Sequence, residues 1–277
     1  MSPVSSNKHP HLSVSVVVYH PDPALLARTL ASLARAASSE TLSGREVHLL
    51  IVDNDGLPDV GASVDELSRA GISHTVLRGH GNVGYGCGHN LAIAQASSRY
   101  HLILNPDVDI EPSALLKALE FMDAHPDAGL LTPAIVDDSG QLQYLCRQFP
   151  TLVDLFVRGF LPRAARRPFE SRLARYEMRA QINERDTLWD PPIVSGCFML
   201  FRTDVLKKLA GFDARYFLYF EDYDLSLRTH EVARVVYAPA VRVLHHGGGA
   251  SRKGMAHIRM FAASAFKFYN RFGWKWL

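Results

Sequence analysis

Four runs of strand character, three of them near-continuously apolar, each closing on a polar or glycine-rich cluster and most followed by residues of helical spacing, limit what this chain can fold into. The first is Ser13-Val-Ser-Val-Val-Val-Tyr19, the second Val47-His-Leu-Leu-Ile-Val52, the third Ser73 to Leu77, and the fourth Tyr100-His-Leu-Ile-Leu104. Near-continuous apolar runs of this length are those of strands buried on both faces. His20-Pro-Asp-Pro23 breaks the first, after which Leu25, Leu26, Leu30 and Leu33 share one stripe of a helix over 24–37. A short helix is expected over 64–69, another over 91–97, and an apolar stripe runs from Pro112 to Met122. Strands alternating with helices predict an α/β fold: a mostly parallel central sheet with helices on both faces. Ligands of such sheets bind beyond the carboxyl ends of the strands. The polar tips Tyr19-His20, Asp53-Asn-Asp55 and Asn105-Pro-Asp-Val-Asp109 all fall there.

At 277 residues the chain can bury a substantial core, as one large domain or two halves. A net charge of +2 gives no reason to expect nucleic acid. Cys87, Cys146 and Cys197 are far apart and odd in number, which points to a reducing compartment without a disulfide framework. The first ten residues lack the apolar core of a signal peptide, and no window approaches the ~18 apolar residues of a membrane span. The expectation is a cytoplasmic protein. Two segments add peripheral contact with the inner face of an anionic membrane. One is arginine-rich, over 158–179, and the other is the aromatic and basic tail over 261–277. A solvated helical face and a core-closing tail are the plainer readings of the two.

Several clusters carry chemistry. Asp107 and Asp109 are two apart, so extended backbone points both carboxylates to one side. A hard divalent ion completed by substrate phosphates would reconcile the two charges; a solvated strand-to-turn junction is the rival. The glycine-rich loop over 79–90 could bring backbone amides close to a diphosphate, although it has neither the order of a Walker loop nor a place after the first strand. Glu221-Asp222-Tyr-Asp224 opens an expected helix, where carboxylates serve either as caps or as a general base. His245 and His246 precede Gly247 to Gly249, and either could ligate the same ion. Arg252 and Lys253 beyond them could hold a leaving diphosphate.

Taken in order, these motifs resemble the inverting family 2 glycosyltransferases of GT-A fold, particularly bacterial rhamnosyltransferase-like members. The matching stretches are Val14 to Val18, Ile51-Val-Asp-Asn-Asp-Gly56, Gly81-Asn-Val-Gly-Tyr-Gly86 and Leu104-Asn-Pro-Asp-Val-Asp109. Val194 to Leu200, Gly211-Phe-Asp213, Phe217 to Leu225 and Val243 to Gly248 follow, so the likeness covers roughly residues 13–250. The resemblance implies a GT-A type, Rossmann-like, mostly parallel sheet flanked by helices, in one continuous domain. Residues 1–140 would form the nucleotide-sugar-binding half and 141–277 the acceptor-side half with a helical tail. It implies Asp53 at the nucleotide base with Tyr19 and His20 nearby. Asp55, Asn82, Gly84, Asn90, Asn105, Asp107, Glu221 and Arg252 would complete the substrate- and nucleotide-binding set. Asp107, Asp109 and His245 would hold Mg2+ or Mn2+, and Asp222 would be the catalytic base. The implied donor is dTDP-rhamnose, and the acceptor a cell-surface glycan or lipid-linked glycan. Val18-Tyr-His-Pro departs from the family's Thr-Tyr-Asn-like turn, which blurs the base-side contacts. Two other readings share this pattern. A non-catalytic nucleotide-sugar or glycan-binding module would keep the fold. A sugar nucleotidyltransferase would carry a Gly-rich, Arg- and Lys-containing loop where Tyr19-His-Pro-Asp-Pro23 stands.

Overall fold

The computed structural model describes residues 10–38, 40–247 and 254–277. Its strands are β1 (Leu12–Val18), β2 (Val47–Asp53), β3 (Ile72–Leu77), β4 (Tyr100–Leu104), β5 (Val108–Ile110), β6 (Ala128–Val136), β7 (Leu188–Trp189), β8 (Phe198–Arg202) and β9 (Arg234–His245). The helices are α1 (Pro23–Ala36), α2 (Gly61–Arg69), α3 (Tyr85–Gln95), α4 (Ala114–Ala124), α5 (Leu152–Phe160), α6 (Glu170–Tyr176), α7 (Thr203–Lys208), α8 (Glu221–Thr229) and α9 (Met255–Phe272). A 3-10 turn over Arg163–Phe169 joins α5 to α6.

One sheet runs through the molecule in the order β3-β2-β1-β4-β8-β6-β9-β5, with β7 beside β9. The first four strands are parallel, as their apolar runs predict. Beyond β4 the sheet is mixed: β8 enters antiparallel to both β4 and β6, and β5 and β7 run antiparallel to β9. Strand β6 has no counterpart among the sequence-based expectations, because Pro133 interrupts its apolar run. The register shifts at that proline, opposite the bulge that carries Pro239 in β9, so neither ring removes a needed ladder bond.

Asp22 caps α1, accepting from Ala24 and Leu25 N–H at 2.9 and 3.1 Å, and Pro23 occupies the first turn. The predicted stripe is then fully buried at Leu26, Leu30 and Leu33, each contributing about 1.5–3 kcal/mol. Polar groups of β1, β4 and α3 meet here: Ser15 Oγ lies 2.7 Å from His89 Nδ1 and 2.9 Å from His101 Nε2, and Ser13 Oγ 2.7 Å from His101 Nδ1, while His89 Nε2 is buried without a hydrogen-bond partner among the described residues. Burial keeps both imidazoles neutral, pushing His101 down to about 3 and His89 well below its usual value.

Helix α3 starts six residues earlier than sequence periodicity indicates, so Gly86 and Gly88 lie within it rather than in a loop. A Cβ on Gly86 would come within 2.8 Å of Phe212 Cβ, and one on Gly88 within 2.9 Å of Val17 Cγ1. Close approach to the sheet therefore overrides the low helix propensity of glycine. At the other end of the chain, α9 buries Ser264, Phe268 and Tyr269 against Phe149, Tyr216 and Phe220 while Phe266, Trp274 and Trp276 face outward. Among the described residues no helix is long and apolar enough to cross a membrane.

Candidate active site

The parallel register places Val18 opposite Asp53, so the β1 and β2 tips adjoin. Asp53 Oδ1 accepts from Asp55 and Leu57 N–H, each at 3.2 Å, and rounds the turn. His20 N–H donates to the Asp55 carbonyl at 3.0 Å, its ring edge-on to the exposed Tyr19 ring with centroids 4.7 Å apart. Tyr19, His20 and Asp55 thus form an open rim.

Asn54 is buried between these tips and the glycine-rich segment, a role no sequence signal assigned. Its Nδ2 donates to the Gly84 carbonyl at 2.9 Å and lies 3.4 Å from Asn82 Oδ1, while its Oδ1 is 3.0 Å from His80 Nε2. Asn82 Oδ1 also accepts from Gly84 N–H at 3.0 Å. Gly84 has φ +87°, and a side chain there would collide with the Phe217 carbonyl. Asn90, expected to meet the nucleotide, instead clamps α3 to the loop after α7. Its Oδ1 accepts from Phe212 N–H and its Nδ2 donates to the Phe212 carbonyl, both at 2.8 Å, which occupies both ends of the amide.

The segment before α8 is strained. Tyr219 (φ +71°) and Phe220 (φ +66°) are both left-handed, at about 1–3 kcal/mol each. Three contacts hold them there: Tyr85 N–H to the Phe217 carbonyl (3.0 Å), Ser264 Oγ to the Leu218 carbonyl (2.8 Å), and Tyr219 Oη with His257 Nδ1 (2.9 Å). This turn aims the first residues of α8. Asp222 is partly exposed, with Oδ2 accepting from Gly196 N–H and Oδ1 from Tyr223 N–H, both at 3.0 Å. Glu221 is buried behind it, Oε2 unpartnered among the described residues. Burial, with the neighbouring Asp222 charge, pushes the Glu221 carboxyl up to about 8, and burial also raises Asp222 against the amides that donate to it. Asp224, third acid of the cluster, is structural: fully buried, it pairs with Arg228 and, at 2.9 Å, with Arg271 of α9.

Asn105 N–H donates to the Cys197 carbonyl at 2.9 Å, which joins the β4 tip to the Gly196-Cys197 turn. Burial raises Tyr85 and pushes the Cys197 thiol up to about 12, and the charges of both Asp107 and Asp222 act on each of these groups. The β4 tip and α8 therefore face one region.

Asp107 and Asp109 have different surroundings. Asp107 Oδ1 is 3.5 Å from His245 Nε2; burial opposes ionisation of Asp107, but the adjacent imidazole and hydrogen bonds from the backbone and Asn105 together hold the carboxyl below its usual range. Asp109 Oδ2 takes Arg28 at 2.7 Å and His246 Nε2 at 3.1 Å, and His246 also pairs with Asp138. Among the described residues no three His, Cys, Asp or Glu side chains gather closely enough to hold an ion alone, so the expected set of Asp107, Asp109 and His245 is not drawn together. The chemistry still suits a hard cation. Oδ1 of Asp107 and of Asp109 are both buried without a hydrogen-bond partner among the described residues, the His245 imidazole lying near the first, and a Cβ on Gly247 would fill the space beside His245 and come within 2.9 Å of Asp107 Oδ2. One or two carboxylates and an imidazole, completed by phosphate oxygens and water, is an arrangement Mg2+ or Mn2+ accepts. Arg252 lies outside the described residues.

The model of glycosyl transferase family 2 matches residues 13–210. The N-acetylglucosaminyl-diphospho-decaprenol L-rhamnosyltransferase of Mycobacterium tuberculosis (strain CDC 1551 / Oshkosh) is 31% identical over 274 residues, 93% of this chain and 83% of that protein. Rhamnosyltransferase WbbL of Escherichia coli (strain K12) is 28% identical over 201 residues, 69% of this chain and 72% of its own length. Among solved structures, S. aureus TarS 1-349 in complex with UDP superposes with a TM-score of 0.56 at 18% identity, over 94% of this chain and 65% of that one. GalNAc-T7 with UDP, GalNAc and Mn2+ gives 0.60 at 14% identity, over 85% and 43%. These two likenesses bear on the fold, which is that of GT-A proteins.

Proposed function

Because the chain belongs to glycosyl transferase family 2 and is a glycosyltransferase, we propose that it moves L-rhamnose from dTDP-rhamnose to a hydroxyl of a lipid-linked glycan, inverting the anomeric carbon. Two rhamnosyltransferase relatives support the sugar, and the diphospho-decaprenol in the name of one supports the acceptor class. The observation that carries the mechanism is the seating of Asp222 on the Gly196 amide, next to Cys197, whose carbonyl accepts from Asn105 at the strand tip that bears Asp107.

Asp222 takes the proton of the acceptor hydroxyl as that oxygen bonds to the anomeric carbon and the bond to the nucleoside diphosphate breaks, its electron pair leaving with the phosphate. A base needs hydrogen-bond reach and affinity for the proton it takes, and a carboxyl raised by burial is a stronger base than an ordinary one. The two backbone amides on Asp222 fix its orientation and keep it ionised once the proton has passed on. Asp107, with His245 and Asp109 alongside, would hold a divalent cation, which would supply neutralisation of the leaving diphosphate. The Tyr19-His20-Asp53-Asp55 rim receives the nucleotide base, and the outward aromatic face of α9 gives peripheral contact with the inner face of the membrane.

The test is transfer itself. Purified protein with dTDP-rhamnose, Mg2+ and a prenyl-diphosphate-linked N-acetylglucosamine should yield a disaccharide of inverted anomeric configuration by NMR. Transfer only from a different nucleotide sugar would remove the rhamnose assignment, and a retained configuration would remove the direct displacement.

A further inference from the structure

The half of the chain that holds α8 also carries a second cavity, of about 460 Å3, between α5, the 3-10 turn and α6. Arg158, Arg166, Arg167 and Arg179 line it, with Glu170 and Glu177 as its acids. Glu177 is bound by Arg179 at 2.6 Å and by Arg158 at 3.4 Å, and Glu170 by Arg179 at 3.5 Å. Arg166 donates its Nε to the Leu161 carbonyl, and no carboxylate of the described residues pairs with either Arg166 or Arg167. A concavity with two guanidinium groups in surplus attracts an anion, and the guanidinium fork matches phosphate oxygens two at a time. The volume is in the ordinary range for a small-molecule site.

Two features say what else the anion carries. The wall helix α5 exposes Phe156 and Phe160 at 56% and 55%, with their rings stacked at 5.8 Å. Its first amide, Leu152 N–H, donates to the Lys275 carbonyl at 2.9 Å, which sets the exposed Trp274 and Trp276 on the segment tied to α5. The helix that gives the socket Arg158 thus carries two exposed rings on its outward face, two residues to either side, which suits a ligand with an apolar chain better than a free phosphate. The cavity also connects to the reacting carboxylate. Leu173 of α6 lines it; one turn on, Tyr176 Oη is 2.8 Å from Tyr223 Oη, and Tyr223 N–H donates to Asp222.

We propose that this cavity binds the diphosphate of a prenyl-diphosphate-linked acceptor, with the prenyl chain leaving it over α5 toward the exposed Phe156 and Phe160. The assignment rests on the lipid-linked acceptor of the function proposed above. Farnesyl diphosphate, farnesol, inorganic pyrophosphate and phosphatidylglycerol vesicles are titrated against the full chain in excess EDTA, which silences a metal-dependent donor site. Farnesyl diphosphate should bind more tightly than pyrophosphate, and farnesol not measurably. Arg167→Glu, which alters an exposed side chain, should weaken farnesyl diphosphate about tenfold or more, the worth of a charge-assisted phosphate contact, with an unchanged Tm as its folding control. Arg166→Gln/Arg167→Gln should do the same, and Asp107→Asn should leave binding unchanged. In turnover with the lipid-linked acceptor, Arg167→Glu should raise the acceptor KM at constant donor KM. Wild-type affinity in Arg167→Glu, or loss confined to Asp107→Asn, overturns the proposal. Competition by phosphatidylglycerol as strong as that by farnesyl diphosphate also overturns it, in favour of a headgroup site. Farnesyl diphosphate binding at the arginines without any sugar transfer would refute the acceptor reading and leave the anion site standing. Normal transfer with a wild-type acceptor KM in Arg167→Glu would refute the anion site alone.

Discussion

Tyr85 and Asp222 are joined through a single glycine: Tyr85 Oη donates to the Gly196 carbonyl at 2.7 Å, and Gly196 N–H donates to Asp222 Oδ2 at 3.0 Å. The phenol thereby orients the peptide that orients the carboxylate, and a Cβ on Gly196 would sit 3.2 Å from that of Asp222. Asp222→Asn should cut kcat by about 10²–10⁴ while nucleotide binding persists. Tyr85→Phe leaves the Gly196 carbonyl without its donor and should lower kcat by up to about tenfold at constant donor KM. Steady-state kinetics decide both, and an unchanged kcat in Tyr85→Phe would deny it the positioning role.

Asp107 and Asp109 should respond differently to loss of charge. Excess EDTA should abolish transfer and Mg2+ or Mn2+ restore it. Asp107→Asn, which removes a carboxylate with no cationic Arg or Lys partner among the described residues, should raise the metal concentration needed for half-maximal rate more than Asp109→Asn, whose other oxygen is already neutralised by Arg28. Full turnover in EDTA would exclude the ion from the reaction.

The buried titratable groups set opposing slopes in stability. Between 4.5 and about 8 the native state keeps a proton on Glu221 that the unfolded chain has lost, so stability falls as pH rises through that window. Between about 3 and 6.5 the unfolded chain protonates a histidine that the native state keeps neutral at His101, so stability falls as pH drops there, and His89 adds to it. Above 6.5 the carboxyl slope acts without that opposition, at up to about 1.4 kcal/mol per pH unit. Urea unfolding should therefore give a more stable protein at pH 6.5 than at pH 8 (both values about, as set by these groups). Glu221→Gln should remove the difference. An equal slope in the variant would move its origin elsewhere.

Gly84→Ala should destabilise by about 1–3 kcal/mol, since the new methyl meets the Phe217 carbonyl at a left-handed backbone. Gly140→Ala shares the positive φ but opens onto empty space and should cost less. Comparison of the two Tm values isolates the collision from the backbone penalty; equal shifts would show that the 217–220 turn yields.

The parallel half of the sheet is legible because Val16 and Val17, like Ile51 and Val52, put apolar side chains on opposite faces of their strands, and the strands end on polar tips at β1, β2 and β4. The reach of α3 was not, because Gly86 and Gly88 signal a loop by composition and are helical only through contact with Phe212 and Val17, residues remote in sequence. Asn90 illustrates the same limit at the site: an amide in a motif reads as a ligand until its two bonds to Phe212 are in view. Spacing alone aligned Asp107 with Asp109, whereas Arg28, in α1, decides where Asp109 turns. Long-range partners of this kind leave no periodicity behind.

Arg271, on α9, reaches Asp213 at 2.8 Å and Asp224 at 2.9 Å, one on either flank of the left-handed turn that delivers Asp222. The final helix is thereby a buttress of the catalytic wall. Deletions that stop short of it would silence the enzyme while removing no atom that meets the sugar, and a screen scored by activity alone would mistake them for lesions in chemistry.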